Sequence, residues 1–300
     1  MMKPTNILSS FLIATLSLAP VAAFAQNSNQ GFTQQQVTDM VWTAVKTEIA
    51  AANNDHSVFI FHDHDIQPQK NKYTIVIQTT SHGSLNRITQ LNGQAVPIQQ
   101  QSAKIDNFVN SPALQQKQRQ SSRNDAQQTE QLLKMIPDAF LWSVTNVTPR
   151  EVTLSYKPNP DFNPPTMEDR VFAAMAGEMV LDREQNRIVV FKGRLIHNVN
   201  FFWGLLGHMN QGGTFCVVRK ELEPYVWEIV ETRVHINGHI LFFKTISQNE
   251  DDYDTDFRPA PPNISLEDAA KIVMEQPDWP NAPGTHDPAA PEGTGACSSH

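Results

Sequence analysis

Tyr225-Val226-Trp227-Glu228-Ile229-Val230-Glu231-Thr232-Arg233-Val234-His235-Ile236, then Asn237-Gly238, then His239-Ile240-Leu241-Phe242-Phe243-Lys244 is the stretch on which the fold turns. β-branched and aromatic residues alternate with polar ones through much of it, which is the period of a strand with one buried face. Asn-Gly between two such runs is the signal of a two-residue hairpin turn. That turn places Ile236 opposite His239, Val234 opposite Leu241 and Glu231 opposite Lys244. The last is an ion pair of roughly a few tenths of a kcal/mol. Val230, Val234, Leu241 and Phe243 then share an apolar face, and Glu231, Arg233, His235 and Lys244 a wet one. Consecutive strands with one greasy and one wet side belong to an antiparallel sheet.

The same period recurs outward from this pair. Ser57–His62, Lys72–Thr80 and Leu85–Leu91 read as strands, with Tyr73, Ile75 and Ile77 on one face and Asn92-Gly93 as a turn. Ala139–Val147, Glu151–Tyr156, Glu178–Leu181, Arg187–Ile196 and Thr214–Glu221 continue the series, Asp182–Asn186 turning one hairpin. Helical spacing is confined to Gln30–Ala52, where Val37, Met40, Val41, Ala44, Val45 and Ile49 recur every three or four residues behind Thr33 as N-cap, and to Thr166–Ala174 and Leu266–Gln276. Residues 94–136 form a polar helical insertion. Its stretch 94–131 holds eleven glutamines and buries no face until Leu132, Leu133, Met135 and Ile136, and Pro137 ends or kinks it. The expected class is α+β and strand-dominated, because helices do not separate the strands as a parallel sheet requires.

Lys3, the apolar run 7–21 and Ala23-Phe24-Ala25 have the layout of a secretory signal peptide cleaved after Ala25. The run is shorter than the roughly 20 residues of a spanning helix, so the mature form is expected to be periplasmic or secreted, with no membrane span. The 275 residues that follow carry 22 basic and 31 acidic side chains. Such a surface repels phosphate backbones, which excludes nucleic acid as a partner. Cys216 and Cys297 are the two cysteines; a fold of this size does not need a bridge between them, and the sequence leaves their pairing open. Asp252, Asp254 and Asp256 mimic the first ligands of a calcium loop, but Phe257 replaces its glycine and Asn263 its bidentate glutamate, so 250–256 reads as an acidic linker. Pro277–His300 reads as disordered.

His62 and His64 would point the same way on a strand, as two zinc ligands must. The hydrolase pattern H-x-H-x-D-H fails, however, with Ile66 and Gln67 at its next positions. His235 and His239 fall on opposite faces of the hairpin. No residue is nominated as catalytic, and no cofactor or resident metal is expected. The apolar run Phe201-Phe202-Trp203-Gly204-Leu205-Leu206-Gly207-His208-Met209 reads either as core or as the lip of a ligand cavity.

Arg87-Ile88-Thr89-Gln90-Leu91-Asn92-Gly93-Gln94 before the insertion, Leu132–Phe140 where it returns, Val180-Leu181-Asp182 with Arg187-Ile188-Val189-Val190, and Leu241-Phe242-Phe243-Lys244 through Tyr253 to Phe257 carry a resemblance. In this order, over Val37–Arg258, the chain resembles the LolA-type outer-membrane lipoprotein-sorting superfamily, in particular its secreted relatives of unassigned role. The resemblance implies a half-barrel over 26–258, a curved antiparallel sheet whose apolar concave face is covered by helices. Members of known role carry lipoprotein acyl chains through the periplasm. The chain departs from that pattern in its Gln-rich insertion and in its acidic, proline-rich extension 259–300.

The expected function is therefore carriage of a hydrophobic ligand, a lipid or lipoprotein acyl chain, by burial rather than chemistry. The expected cavity residues are Tyr73, Ile75, Ile77, Val189, Phe191, Leu195, Phe202, Trp203, Met209, Val234, Leu241 and Phe243. Two rivals stand beside it: a filled-core module whose Gln-rich helix and acidic tail engage an envelope protein partner, and a metal-dependent hydrolase using His62 and His64.

Overall fold

A computed structural model describes residues 31–80, 83–201, 207–240, 247–280 and 295–297. The chain opens with α1 (Gln34–Asn54) and a meander of β1 (Phe59–Gln67), β2 (Lys70–Thr79), β3 (Gly83–Leu91) and β4 (Gln94–Ala95). Two helices follow, α2 (Ile98–Val109) and α3 (Pro112–Ala139). Then come β5 (Phe140–Val147), β6 (Glu151–Pro158), α4 (Met167–Ala173), β7 (Met175–Asp182) and β8 (Ile188–Leu195). A short pair, β9 (Val199–Phe201) and β10 (Gly207–Met209), leads to β11 (Thr214–Glu223), β12 (Val226–Ile240), β13 (Ser247–Pro259) and α5 (Leu266–Glu275).

Eleven strands form one open antiparallel path, β4-β3-β2-β1-β13-β12-β11-β8-β7-β6-β5, with β10 pairing β12 and β9 beside it. The strand-dominated α+β class expected from periodicity is the class observed. The last strand is inserted between β1 and β12, so the two halves of the meander join through residues about 190 positions apart, such as Asp63 and Asp254. The helices α2 and α3 carry the chain from one edge strand to the other.

Thr33 caps α1 with Gln36 in a reciprocal capping box. The helix buries Val37, Val41, Ala44, Val45 and Glu48, residues spaced to lie along one side. That side packs on Trp142, Val144, Leu154, Tyr156, Met179 and Leu195. A second layer joins Ile60, Ile75, Ile77 and Leu85 to Ile105 of α2 and to Leu266, Ala269 and Val273 of α5. Strand register puts the two layers on opposite faces of the sheet. Asp63 pairs Asp254, Thr232 pairs Asp252, Val217 pairs Thr232 and Phe191 pairs Val217, so Asp63 shares a face with Phe191 and the α1 core. His62 and Ile75, one residue out of phase, face α5. We call these the α1 face and the α5 face.

Several expectations shift. β12 runs unbroken through Asn237-Gly238 to Ile240, pairing Asn237 with Ser247 and Gly238 with Met209. Glu231 therefore lies opposite Tyr253 rather than Lys244. Flanking partners on both sides keep Asn237-Gly238 extended, whereas Asn92-Gly93 has the two positive φ values, 51° and 78°, of the expected turn. The acidic run 250–256 is not a linker but part of β13. The polar insertion divides at Asn110-Ser111, and α3 continues through Pro137 to Ala139. Beyond Glu275 the chain stays packed as far as Pro280: Trp279 is buried, and Arg87 donates from Nη1 to Asp278 Oδ1 at 2.9 Å and from Nη2 to the Gln276 carbonyl at 2.6 Å. Cys216 and Cys297 form a disulfide. Residues 1–25, Leu241 and Phe243 lie outside the described residues.

Candidate functional site

The residues expected to line one cavity divide between the two faces. Ile75 and Ile77 are fully buried on the α5 face beneath α2 and α5. Tyr73, on the same face, stacks on His64 with ring centroids 4.0 Å apart and meets Trp279 edge-on at 4.8 Å. Val189 sits at a bulge where Val180 pairs Val190 and Leu181 pairs Ile188, and packs beside Val190, Cys216 and Cys297. A similar irregularity near Val230 sends that residue to the same small cluster, away from Val234. Phe191, Leu195, Met209 and Val234 are on the α1 face. Phe202 and Trp203 fall outside the described residues.

α1 covers only part of its face. Toward the middle strands Phe191, Phe215, Val217, Val234 and Ile236 are half-buried. Phe172 of α4 joins them, its ring centroid 6.0 Å from Phe191 and 6.4 Å from Phe215, while Phe191 and Phe215 meet at 5.0 Å near edge-to-face. The backbone is shaped for this aromatic file at Gly193. A side chain there would collide with Tyr156 Oη, which donates to the Lys192 carbonyl at 3.0 Å. Where α1 meets β8 and β11 lies a buried charge knot. Glu48 of α1 accepts from Arg187 Nε and Nη2 at 3.1 Å each, from the Ile188 amide at 2.8 Å, and from Arg219 Nη1.

Farther along the α1 face the strip gives way to carboxylates. Asp63 and Asp65 of β1 pair with Asp254 and Asp252 of β13, and all four alternate onto this face. Lys72 of β2 lies 3.1 Å from Asp65 and 3.5 Å from Asp63, and Lys70 lies 2.5 Å from Asp65. Burial would raise the Asp65 pKa, but hydrogen bonds from the two lysines hold it below the ordinary carboxylate value. Among the described residues Asp252 and Asp254 have no such hydrogen-bonded lysine, and Lys72 acts on them only at longer range. Burial, reinforced by Asp63 and by further acidic neighbours, pushes Asp252 up to about 7 and Asp254 up to about 8.

His62 and His64 do share a face, as expected, but their rings are used in packing. His62 stacks on Trp279 at 4.7 Å, and His64 lies between Tyr73 and the Asn71 side chain, Nε2 to Oδ1 3.0 Å. Burial lowers the pKa of His62. Among the described residues the group able to hold a metal ion is Asp63, Asp252 and Asp254, which contains neither imidazole. His235 and His239 both lie on β12, four residues apart, rather than on two strands of a hairpin; His235 Nε2 is 2.9 Å from Asp251 Oδ1.

The sequence reading missed the carboxylate group because its members come from two strands far apart in the chain. The signal available was the shared two-residue period of Asp63/Asp65 and Asp252/Asp254. No family model, curated protein or solved structure matches the chain.

Proposed function

We propose that the chain is an extracytoplasmic binder of a hydrophobic ligand, a lipid or lipoprotein acyl chain held against the α1 face of a LolA-like half-barrel. The observation that carries this reading is the half-buried strip Phe191, Phe215, Val217, Val234 and Ile236, with Phe172 at its end. The strip crosses three strands, about 10 Å at roughly 4.8 Å per step, and about 7 Å along them. A protein partner needs about 800 Å² on each side, so the strip fits a stretch of acyl chain instead. Each buried methylene contributes about 0.8 kcal/mol, which gives reversible affinity from a few of them. The open antiparallel path and the sequence resemblance over Val37–Arg258 support the half-barrel reading. The two helical layers on opposite faces differ from the single covered concave face that the resemblance implies. Secretion is supported by the Cys216–Cys297 disulfide, a bond that persists in oxidising compartments.

Titration of the full chain with a fluorescent fatty-acid analogue tests the reading. Saturable binding that Val217→Glu and Val234→Glu each weaken by about tenfold or more supports it, since either substitution places a charge against the chain. If neither variant changes the isotherm, or the wild type takes up no probe, the filled-core interaction module is the better account.

A further inference from the structure

We propose that Asp63, Asp252 and Asp254, with the hydroxyl of Thr74, form a binding site for a hard divalent cation, calcium in the first instance. The site is independent of the hydrophobic-ligand reading, because it uses none of the residues of the apolar strip.

One carboxylate oxygen from each aspartate lies within 4.8 Å of the other two. Oxygens sharing a calcium ion at about 2.3–2.6 Å lie no more than about 5 Å apart, so a single ion can touch all three. The groups are held by strand register rather than by a loop. Asp63 faces Asp254 across the β1–β13 pair, and Asp252 follows two residues from Asp254 on the same side. Sheet-borne ligands are fixed before binding, which lowers the ordering cost of capture.

Thr74 supplies the independent sign that something belongs there. It lies directly opposite Asp63 on β2, on the same face. It is only 2 % exposed, yet its Oγ1 has no hydrogen-bond partner among the described residues. A buried hydroxyl left unpaired costs about 1–3 kcal/mol, and a threonine oxygen is a suitable neutral ligand for a hard cation. Asp252 Oδ1 and Asp254 Oδ1 are likewise buried without a hydrogen-bond partner among the described residues.

Charge matches as well. Asp63, Asp65, Asp252 and Asp254 face two ammonium groups, Lys70 and Lys72, and Glu228 and Glu250 add to the acidic side, so carboxylates outnumber cations here and a divalent ion would offset the excess. The lysines form their ion pairs with Asp65 and Asp63, so Asp252 and Asp254 feel Lys72 only at longer range. An all-oxygen donor set excludes a thiolate- or imidazole-seeking metal. Calcium suits the site better than magnesium because it tolerates irregular geometry, whereas magnesium demands a near-ideal octahedron.

Isothermal titration of the metal-stripped full chain with calcium chloride at pH 8 tests the site. The expected result is one ion per chain with a dissociation constant of about 10⁻⁴–10⁻³ M or tighter, weakened at least about tenfold in D252N/D254N. Exposed E267Q on α5 serves as the control and should bind like the wild type. T74V, which keeps the carboxylates, should weaken binding by several-fold and decides the matter if the double variant does not fold. No stoichiometric binding by the wild type, or affinity unchanged in both D252N/D254N and T74V, overturns the proposal.

Discussion

Asp63 of β1 and Asp254 of β13 stand directly opposite each other on one face of an antiparallel pair, a position where like charges oppose the pairing. The strands nonetheless pair over seven registered positions, from Phe59–Pro259 to Ile66–Asp251. The acidic half of the α1 face is thus held together by its backbone and by Lys72, and its carboxyl groups are left to find a proton or a cation.

This sets a pH dependence. Asp252 and Asp254 ionise near 7 and 8 in the folded chain, far above an unfolded aspartate at 3.8. A carboxyl with a raised folded pKa contributes stability that is complete below the unfolded value and is lost as pH rises through the folded one. In the presence of chelator, urea midpoints should therefore fall between pH 5.5 and 9. D252N/D254N should flatten that fall, and a midpoint that rises over the same interval would contradict the electrostatics described.

The Glu48 knot should behave in the opposite sense to a surface ion pair. Glu48, Arg187 and the Ile188 amide are buried together, so removing the carboxylate leaves a guanidinium without its counter-charge. Glu48→Ala is expected to cost about 3–5 kcal/mol in denaturant unfolding. A loss under about 1 kcal/mol would mean that water reaches the arginines.

Gly193 and Tyr156 form a testable couple. Gly193→Ala forces the phenol away from the Lys192 carbonyl and should cost about 1–3 kcal/mol. In a Tyr156→Phe background the same change should cost about 1 kcal/mol less, a coupling within the range seen for touching residues. Additive losses would show that the Phe215 ring or the Ala176 carbonyl, the next nearest groups to Gly193, carries the clash.

The disulfide fastens residue 297 to β11 over a separation of 81 residues. Loop entropy puts its contribution at about 4.5 kcal/mol. Cys297→Ser, or reduction of the wild type, should lower the unfolding midpoint accordingly, and the two should agree. Equal midpoints for oxidised and reduced protein would show that the closed loop constrains little.

Local pattern was enough to read most strands and the leading helix, because alternation at Tyr73, Ile75 and Ile77 or helical spacing at Val37, Val41 and Val45 is set by nearest neighbours. What local pattern could not carry was which strand lies beside which. The insertion of β13 between β1 and β12 turns an acidic run into a buried carboxylate group and assigns every face beyond it. Bulges near Val189 and Val230 then move single residues across the sheet, which alternation counted along one strand cannot register. Asn237-Gly238 shows the same limit from the other side: its turn propensity yields to pairing with β10 and β13. Trp279, set in a proline-rich tail, is anchored by His62, Tyr73 and Arg87's neighbouring contacts, none of them near it in sequence.

The most direct measurement of the central claim is native mass spectrometry of the full chain purified without detergent from cells that secrete it. A lipid-binding chain gives a population heavier than the polypeptide by the mass of an acyl lipid, removed by organic extraction and depleted in Val234→Glu. A single species at the polypeptide mass, which stays unchanged when fatty acid is added, would contradict that claim.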